Sequence, residues 1–172
     1  MSAKTPASTP APQASDPGNI RNVVLVGHSG AGKTTLFEHL LAATTPEYRP
    51  KPVGEERSVQ LSVASVSHDD VVLNLIDTPG YPDFVGELRA GLRAADAALF
   101  VISAADGVDG ATMLLWEECA AIGMPRAVAV TKLDAARADF EDTVAICRRV
   151  FGEGVMALYL PLHGDDGAVI GN

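Results

Sequence analysis

Val23-Val24-Leu25-Val26-Gly27-His28-Ser29-Gly30-Ala31-Gly32-Lys33-Thr34-Thr35 is the stretch that decides the fold. Four apolar, mostly β-branched residues stop at a glycine, and a helical pattern opens after Gly32. This reads as a buried strand, a glycine-rich turn and a helix. The spacing from Gly27 to Gly32-Lys33-Thr34 is that of a phosphate-binding P-loop. Glycines let backbone N–H groups turn inward around phosphate oxygens without a Cβ clash, and the helix N-terminus adds partial positive charge. Lys33 is placed to reach β/γ oxygens, and the Thr34 hydroxyl suits Mg²⁺. Gly27, His28, Ser29, Gly30, Ala31, Gly32, Lys33, Thr34 and Thr35 are therefore candidate nucleotide-binding residues. Lys33 is also a catalytic candidate and Thr34 a metal ligand.

Outward from this stretch, strands alternate with helices. The helix is expected from Lys33 to Ala43, with Leu36, Phe37, Leu40 and Leu41 at helical spacing. A Pro-rich loop follows from Thr44 to Arg57. Val59, Leu61 and Val63 alternate with Gln60 and Ser62 as a half-exposed strand, and His68-Asp69-Asp70 reads as a turn into the strand Val71 to Ile76. These two strands are expected to form an antiparallel hairpin. Helices are expected over Phe84 to Ala95, Ala111 to Ile122 and Arg137 to Phe151. Strands are expected over Ala97 to Ser103, Ala127 to Thr131 and Met156 to Leu160. The fold class is therefore α/β: a P-loop NTPase whose sheet is mostly parallel with one antiparallel edge hairpin and helices on both faces. Residues 1 to 19, with four prolines among Ala, Ser and Thr, read as a disordered tail ahead of one domain spanning 20–172.

Two more motifs stand at strand ends, where ligands bind in such sheets. Asp77-Thr78-Pro79-Gly80 closes the strand Val71 to Ile76. Asp77 is placed to hold Mg²⁺, and Gly80 allows a backbone N–H to approach a γ-phosphate and to move when it leaves. Thr131-Lys132-Leu133-Asp134 follows another buried strand. The Asp134 carboxylate can accept two hydrogen bonds from the N1–H and N2–H₂ edge of guanine, which adenine cannot donate. The Lys132 stem can lie over the purine. Either tetrapeptide alone is common; in this order after a P-loop they point to a guanine nucleotide.

The three motifs together resemble the GTP-binding domain of translational GTPases, and within them the elongation factor G branch. The similarity runs from about Ile20 to Asn172. It includes Ile76 to Glu87, similar to the family's second switch, and Ala98 to Val108. The resemblance implies GTP or GDP with Mg²⁺, GTP hydrolysis and the ribosome as a partner. Tyr81 stands where the family has a water-positioning His, so it is a catalytic candidate, though a phenol with a pKa of about 10 substitutes poorly for imidazole. Gln60 stands where the family's first switch has a Mg²⁺-binding Thr. Thr131 replaces an Asn, and Gly30 an Asp. No Ser-Ala pair follows the last strand, so the domain is expected to be incomplete at its C-terminus.

Composition narrows the rest. Net charge is −9, and the first nineteen residues carry only Lys4 and Asp16, so the acidic excess lies on the folded part. That argues against direct DNA binding and against grip on an anionic membrane. Apolar runs such as Ala97 to Ile102 are too short to span a bilayer. Cys119 and Cys147 are expected to be reduced cysteines on helix faces of a cytoplasmic protein. Two other readings stay open: a degenerate or truncated GTPase acting only as a nucleotide-binding or structural module without turnover, and an ATP-using P-loop enzyme.

Overall fold

The computed structural model describes residues 12–50, 61–80, 85–164 and 169–171. Strand β1 (Ile20–Val26) is the centre of a five-stranded sheet. It is followed by α1 (Lys33–Thr44), β2 (Ser62–His68), β3 (Val71–Asp77), α2 (Val85–Ala94), β4 (Ala97–Ser103), α3 (Gly110–Ala121), β5 (Arg126–Thr131) and α4 (Phe140–Phe151). The strand order is β2-β3-β1-β4-β5. β1 pairs parallel with β3 on one side and with β4 on the other, β5 extends the parallel set, and β2 runs antiparallel at the edge.

Side chains of the central strands alternate between two cores, as the period of two requires. Val24, Val26, Ile76, Ala98 and Phe100 point into one, which also holds Leu92 of α2 and Leu115, Trp116 and Cys119 of α3. Leu25 and Leu75 point into the other, against Phe37 and Leu41 of α1. The first core is built on an aromatic group. Trp116 stacks on Phe151 at 4.2 Å and meets the edge of Phe100 at 4.9 Å, which joins α3, α4 and β4. The single Trp is therefore a core residue. Polar pairing fixes register in an otherwise apolar sheet. Ser65 donates to Asn74 at 2.6 Å and Asn74 to Asn22 at 2.8 Å, across β2, β3 and β1. A one-residue slip would break this chain and turn Leu75 out of its core.

Three expectations are corrected. The hairpin forms, but its first described strand is Ser62–His68, which runs five residues past the expected end at Val63; Val59 and Gln60 of the expected strand lie outside the described residues. Asp69, at φ 50°, and Asp70 make a two-residue turn, so His68 must pair with Val71 at once and the ladder extends back through Ala64 and Ser65. These small residues carry little strand signal of their own. Helix α4 starts at Phe140, not Arg137, because the Asp139 side chain caps it by accepting from the Asp142 N–H at 2.9 Å. Met156 to Leu160 is not a strand. Val155 is tied back to α4, donating to the Gly152 carbonyl at 3.2 Å and accepting from Arg148 at 3.1 Å. The following apolar residues find no ladder, and a short ribbon forms instead between β6 (Leu162–His163) and β7 (Val169–Gly171). In the tail, Pro17–Asn19 form one 3₁₀ turn capped by Asp16. Residues 1–11 lie outside the described residues. No described helix is long and apolar enough to cross a membrane.

Candidate nucleotide-binding site

The chain leaves β1 for β3 on one side and β4 on the other, so the strand order reverses at the carboxyl end of β1. This is the crevice where parallel sheets take ligands. The loop Gly27 to Gly32 lies there. A Cβ at Gly27 would collide with the carbonyl oxygen of Val101 on β4, so only glycine lets the loop turn this close to the sheet. Helix α1 starts with Gly32 as its N-cap and no side-chain cap, whereas Asp109 and Asp139 cap α3 and α4. Its first-turn N–H groups are therefore left for a ligand. Lys33, only 6% exposed, reaches back along the loop and donates to the Gly27 carbonyl at 2.9 Å and the His28 carbonyl at 3.0 Å. Burial pulls its ammonium below the ordinary lysine range, opposed by the charges of Asp77 and Asp109. Ser29 and Ala31 line the same turn, and Gly30 and Thr35 face solvent.

Asp77 ends β3 beside β1 and is 1% exposed. Its Oδ2 accepts from the Thr34 hydroxyl at 2.7 Å, while Oδ1 is buried with no hydrogen-bond partner. Burial pushes the carboxyl above its usual range; the Thr34 bond and the Lys33 charge oppose this, and Glu38 adds to it. A buried carboxylate oxygen without a donor, next to a hydroxyl, is the chemistry of a hard-cation site. Thr34 and Asp77 therefore fit Mg²⁺. Thr78 is fully buried and donates to the Leu25 carbonyl at 2.6 Å, fastening the motif to β1. Gly80 packs against the Lys33 ammonium, and a Cβ there would also lie 2.8 Å from the Ser29 nitrogen.

Thr131 ends β5, and its hydroxyl donates to the Ala31 carbonyl at 2.7 Å. The replacement of Asn thus still ties this motif to the P-loop. Lys132, at φ 57°, turns its ammonium to Asp106 at 3.4 Å. Asp106 in turn accepts from Ser103 at 2.7 Å, a bond that holds its carboxyl below the usual range, with Lys132 adding to it. Asp134 is exposed in the next turn. The three motifs therefore stand at the ends of β1, β3 and β5. Tyr81 and Gln60 lie outside the described residues. Sequence reasoning assigned no role to Thr78, Asp106 or Glu38. For Asp106 there was a signal: an Asp next to a glycine at the carboxyl end of a buried strand. Thr78 lay inside the Asp77 to Gly80 motif, but neither its burial nor that of Glu38 is a local property.

Since burial disfavours the Asp77 charge, Asp77→Asn is expected to raise the melting temperature of the ligand-free protein by about 2–4 °C, near 1 kcal/mol for a domain of this size. The wild-type contribution has a definite sign. With a folded pKa above the unfolded one, stability is gained as pH falls through the folded value, and the variant should lose that gain. Calorimetry across the acid range checks both.

This geometry defines a P-loop nucleotide-binding domain. The sequence family described as the elongation factor Tu GTP binding domain matches residues 18–160, and the chain belongs to that family. It is 54% identical over 165 residues to an elongation factor G-like protein of Mycobacterium tuberculosis, covering 88% of this chain and 23% of that one. It is 32% identical to elongation factor G of Mycoplasma pneumoniae, covering 86% and 24%. A solved structure from Thermus thermophilus superposes with a TM-score of 0.79 at 38% identity, over 86% of this chain and 24% of that one. The chain thus spans about a quarter of the length of these relatives.

Proposed function

We propose that the domain binds GTP and GDP with Mg²⁺ and hydrolyses GTP slowly. The observation that carries this reading is the buried, unpartnered Asp77 Oδ1 beside Thr34 and Lys33, at the mouth of an uncapped helix. Loop N–H groups from Gly27 to Gly32 and the Lys33 ammonium hold the β and γ phosphates. Thr34 and Asp77 hold Mg²⁺, which supplies charge against the phosphate oxygens. The Gly80 N–H marks the γ-phosphate. Asp134 reads guanine, with the Lys132 stem against the ring. The ribosome is proposed as partner of the longer protein by family likeness alone.

Hydrolysis by this chain is expected at or below the unassisted GTPase rate, on the order of 10⁻⁴ per second. Tyr81 lacks the imidazole that positions water, and Gln60 lacks the Thr hydroxyl. Single-turnover phosphate release measures the rate, and Tyr81→His is expected to raise it. Fast release by the unmodified chain would overturn the reading of Tyr81 and Gln60. Displacement of fluorescent GDP by GTP and GDP, and not by ATP, tests the binding itself.

A further inference from the structure

We infer that Asp106 is a positioning residue of the base site: fixed by Ser103, it takes the Lys132 ammonium and so holds the Lys132 stem, the part that packs on the purine, in one orientation. This rests on the guanine-nucleotide reading above. Ser103 and Thr131 are register partners at the carboxyl ends of β4 and β5, so the turns that follow them lie side by side. The Ala104 N–H donates to the Thr131 carbonyl at 2.9 Å and joins the two turns. In the first turn, Asp106 Oδ2 accepts from the Ser103 hydroxyl at 2.7 Å, and the Asp106 N–H donates back to that hydroxyl oxygen at 3.2 Å. The Gly107 N–H closes the turn on the Ser103 carbonyl at 2.8 Å. Ser103 is fully buried, so the carboxylate is anchored to the sheet itself. In the second turn, Lys132 has a left-handed backbone, φ 57°, which a residue with a Cβ adopts at a cost. Its ammonium donates to the same Asp106 Oδ2 at 3.4 Å.

For stability this pair counts for little. The side chains of Lys132 and Asp106 are 42% and 51% exposed, and exposed ion pairs add little to folding. The effect falls on binding instead. A lysine loses rotamer freedom when its stem packs on a ring. A tethered ammonium has given up part of that freedom beforehand, so less is lost when the ligand arrives. The tether is charged at neutral pH, because the Ser103 bond, with Lys132 and His28 adding to it, holds the Asp106 carboxyl below its usual range. Asp106 thus raises affinity for the nucleoside end without touching nucleotide, while Asp134 chooses the base.

The test is a double-mutant cycle on the full chain, read by titration with fluorescent GDP. Asp106→Asn removes the charge and keeps an oxygen for the Ser103 bond. It should weaken GDP binding by about three- to tenfold. Lys132→Met keeps an unbranched stem without the ammonium, and in that background Asp106→Asn should change GDP affinity by less than about twofold. Ser103→Ala, which leaves Asp106 in place but unfixed, gives the cycle a second time: a smaller loss alone and none beside Lys132→Met. Inorganic tripolyphosphate, read by displacement of fluorescent GDP, should bind Asp106→Asn no more weakly than wild type, since it has no ring for Lys132 to cover. A merely structural role gives neither the dependence on Lys132 nor the split between nucleotide and tripolyphosphate. Unchanged GDP affinity in Asp106→Asn or in Ser103→Ala, the same loss with and without Lys132, or equal losses of GDP and tripolyphosphate each overturn the inference and leave the nucleotide reading intact. Wild-type protein that binds no GDP overturns both.

Discussion

Lys33→Ala is expected to weaken GDP binding by about ten- to hundredfold, or roughly 1.5–3 kcal/mol, the value of a charge-assisted hydrogen bond to phosphate. Lys33 is nearly buried, and its ammonium is held over the loop by the Gly27 and His28 carbonyls, with Gly80 packed against it. Because the side chain is fixed in advance, little ordering entropy is lost when phosphate arrives. Titration with fluorescent GDP measures the loss. Melting of the ligand-free variant provides the control, because two hydrogen bonds to the loop go with the ammonium. If the folded variant binds GDP as tightly as wild type, the loop is a glycine-rich turn without a phosphate role.

Asp134 is expected to set base choice. GTP should compete at least about a hundredfold better than ATP, because a site built to pair donors strongly rejects a base without them. Asp134→Asn should erase most of that preference. One amide oxygen cannot accept twice in the carboxylate's geometry, and the new NH₂ faces the guanine N2 donor. The same NH₂ suits a purine with a carbonyl at C2, so the variant should gain affinity for xanthosine diphosphate relative to GDP. Competition titrations with the four nucleotides test this. Equal affinity of the unmutated chain for GTP and ATP would remove the guanine reading and leave the ATP-using alternative.

The two predictions draw on different amounts of sequence information. Lys33 stands inside a contiguous motif, where a strand, a glycine turn and a helix follow one another, so its neighbours in sequence are its neighbours in space. Asp134 is linked to the P-loop through Thr131, whose hydroxyl donates to the Ala31 carbonyl, a contact between β5 and the loop after β1 that crosses β4. Its motif could be recognised in the sequence, but the contact could not. Tyr48 and Glu38 lay further from reach. An acid in α1 and a tyrosine in a Pro-rich stretch carry no pattern, and the packing of Tyr48 beside α1 joins them.

Local chemistry by itself determined the alternation of strands and helices, the P-loop and the two other strand-end motifs. Each depends on residues a few positions apart, whose periodicity and backbone freedom are intrinsic. Tertiary structure decided what depends on partners distant in the chain. The register of β2 follows from its turn and from Asn74 meeting Asn22 and Ser65. Met156 to Leu160 fails as a strand because no ladder partner meets it, although its residue pattern is that of one. The Asp77 oxygen without a donor exists only because β3 is buried beside β1. Burial and hydrogen-bond satisfaction belong to the assembled sheet, and no window of sequence contains them.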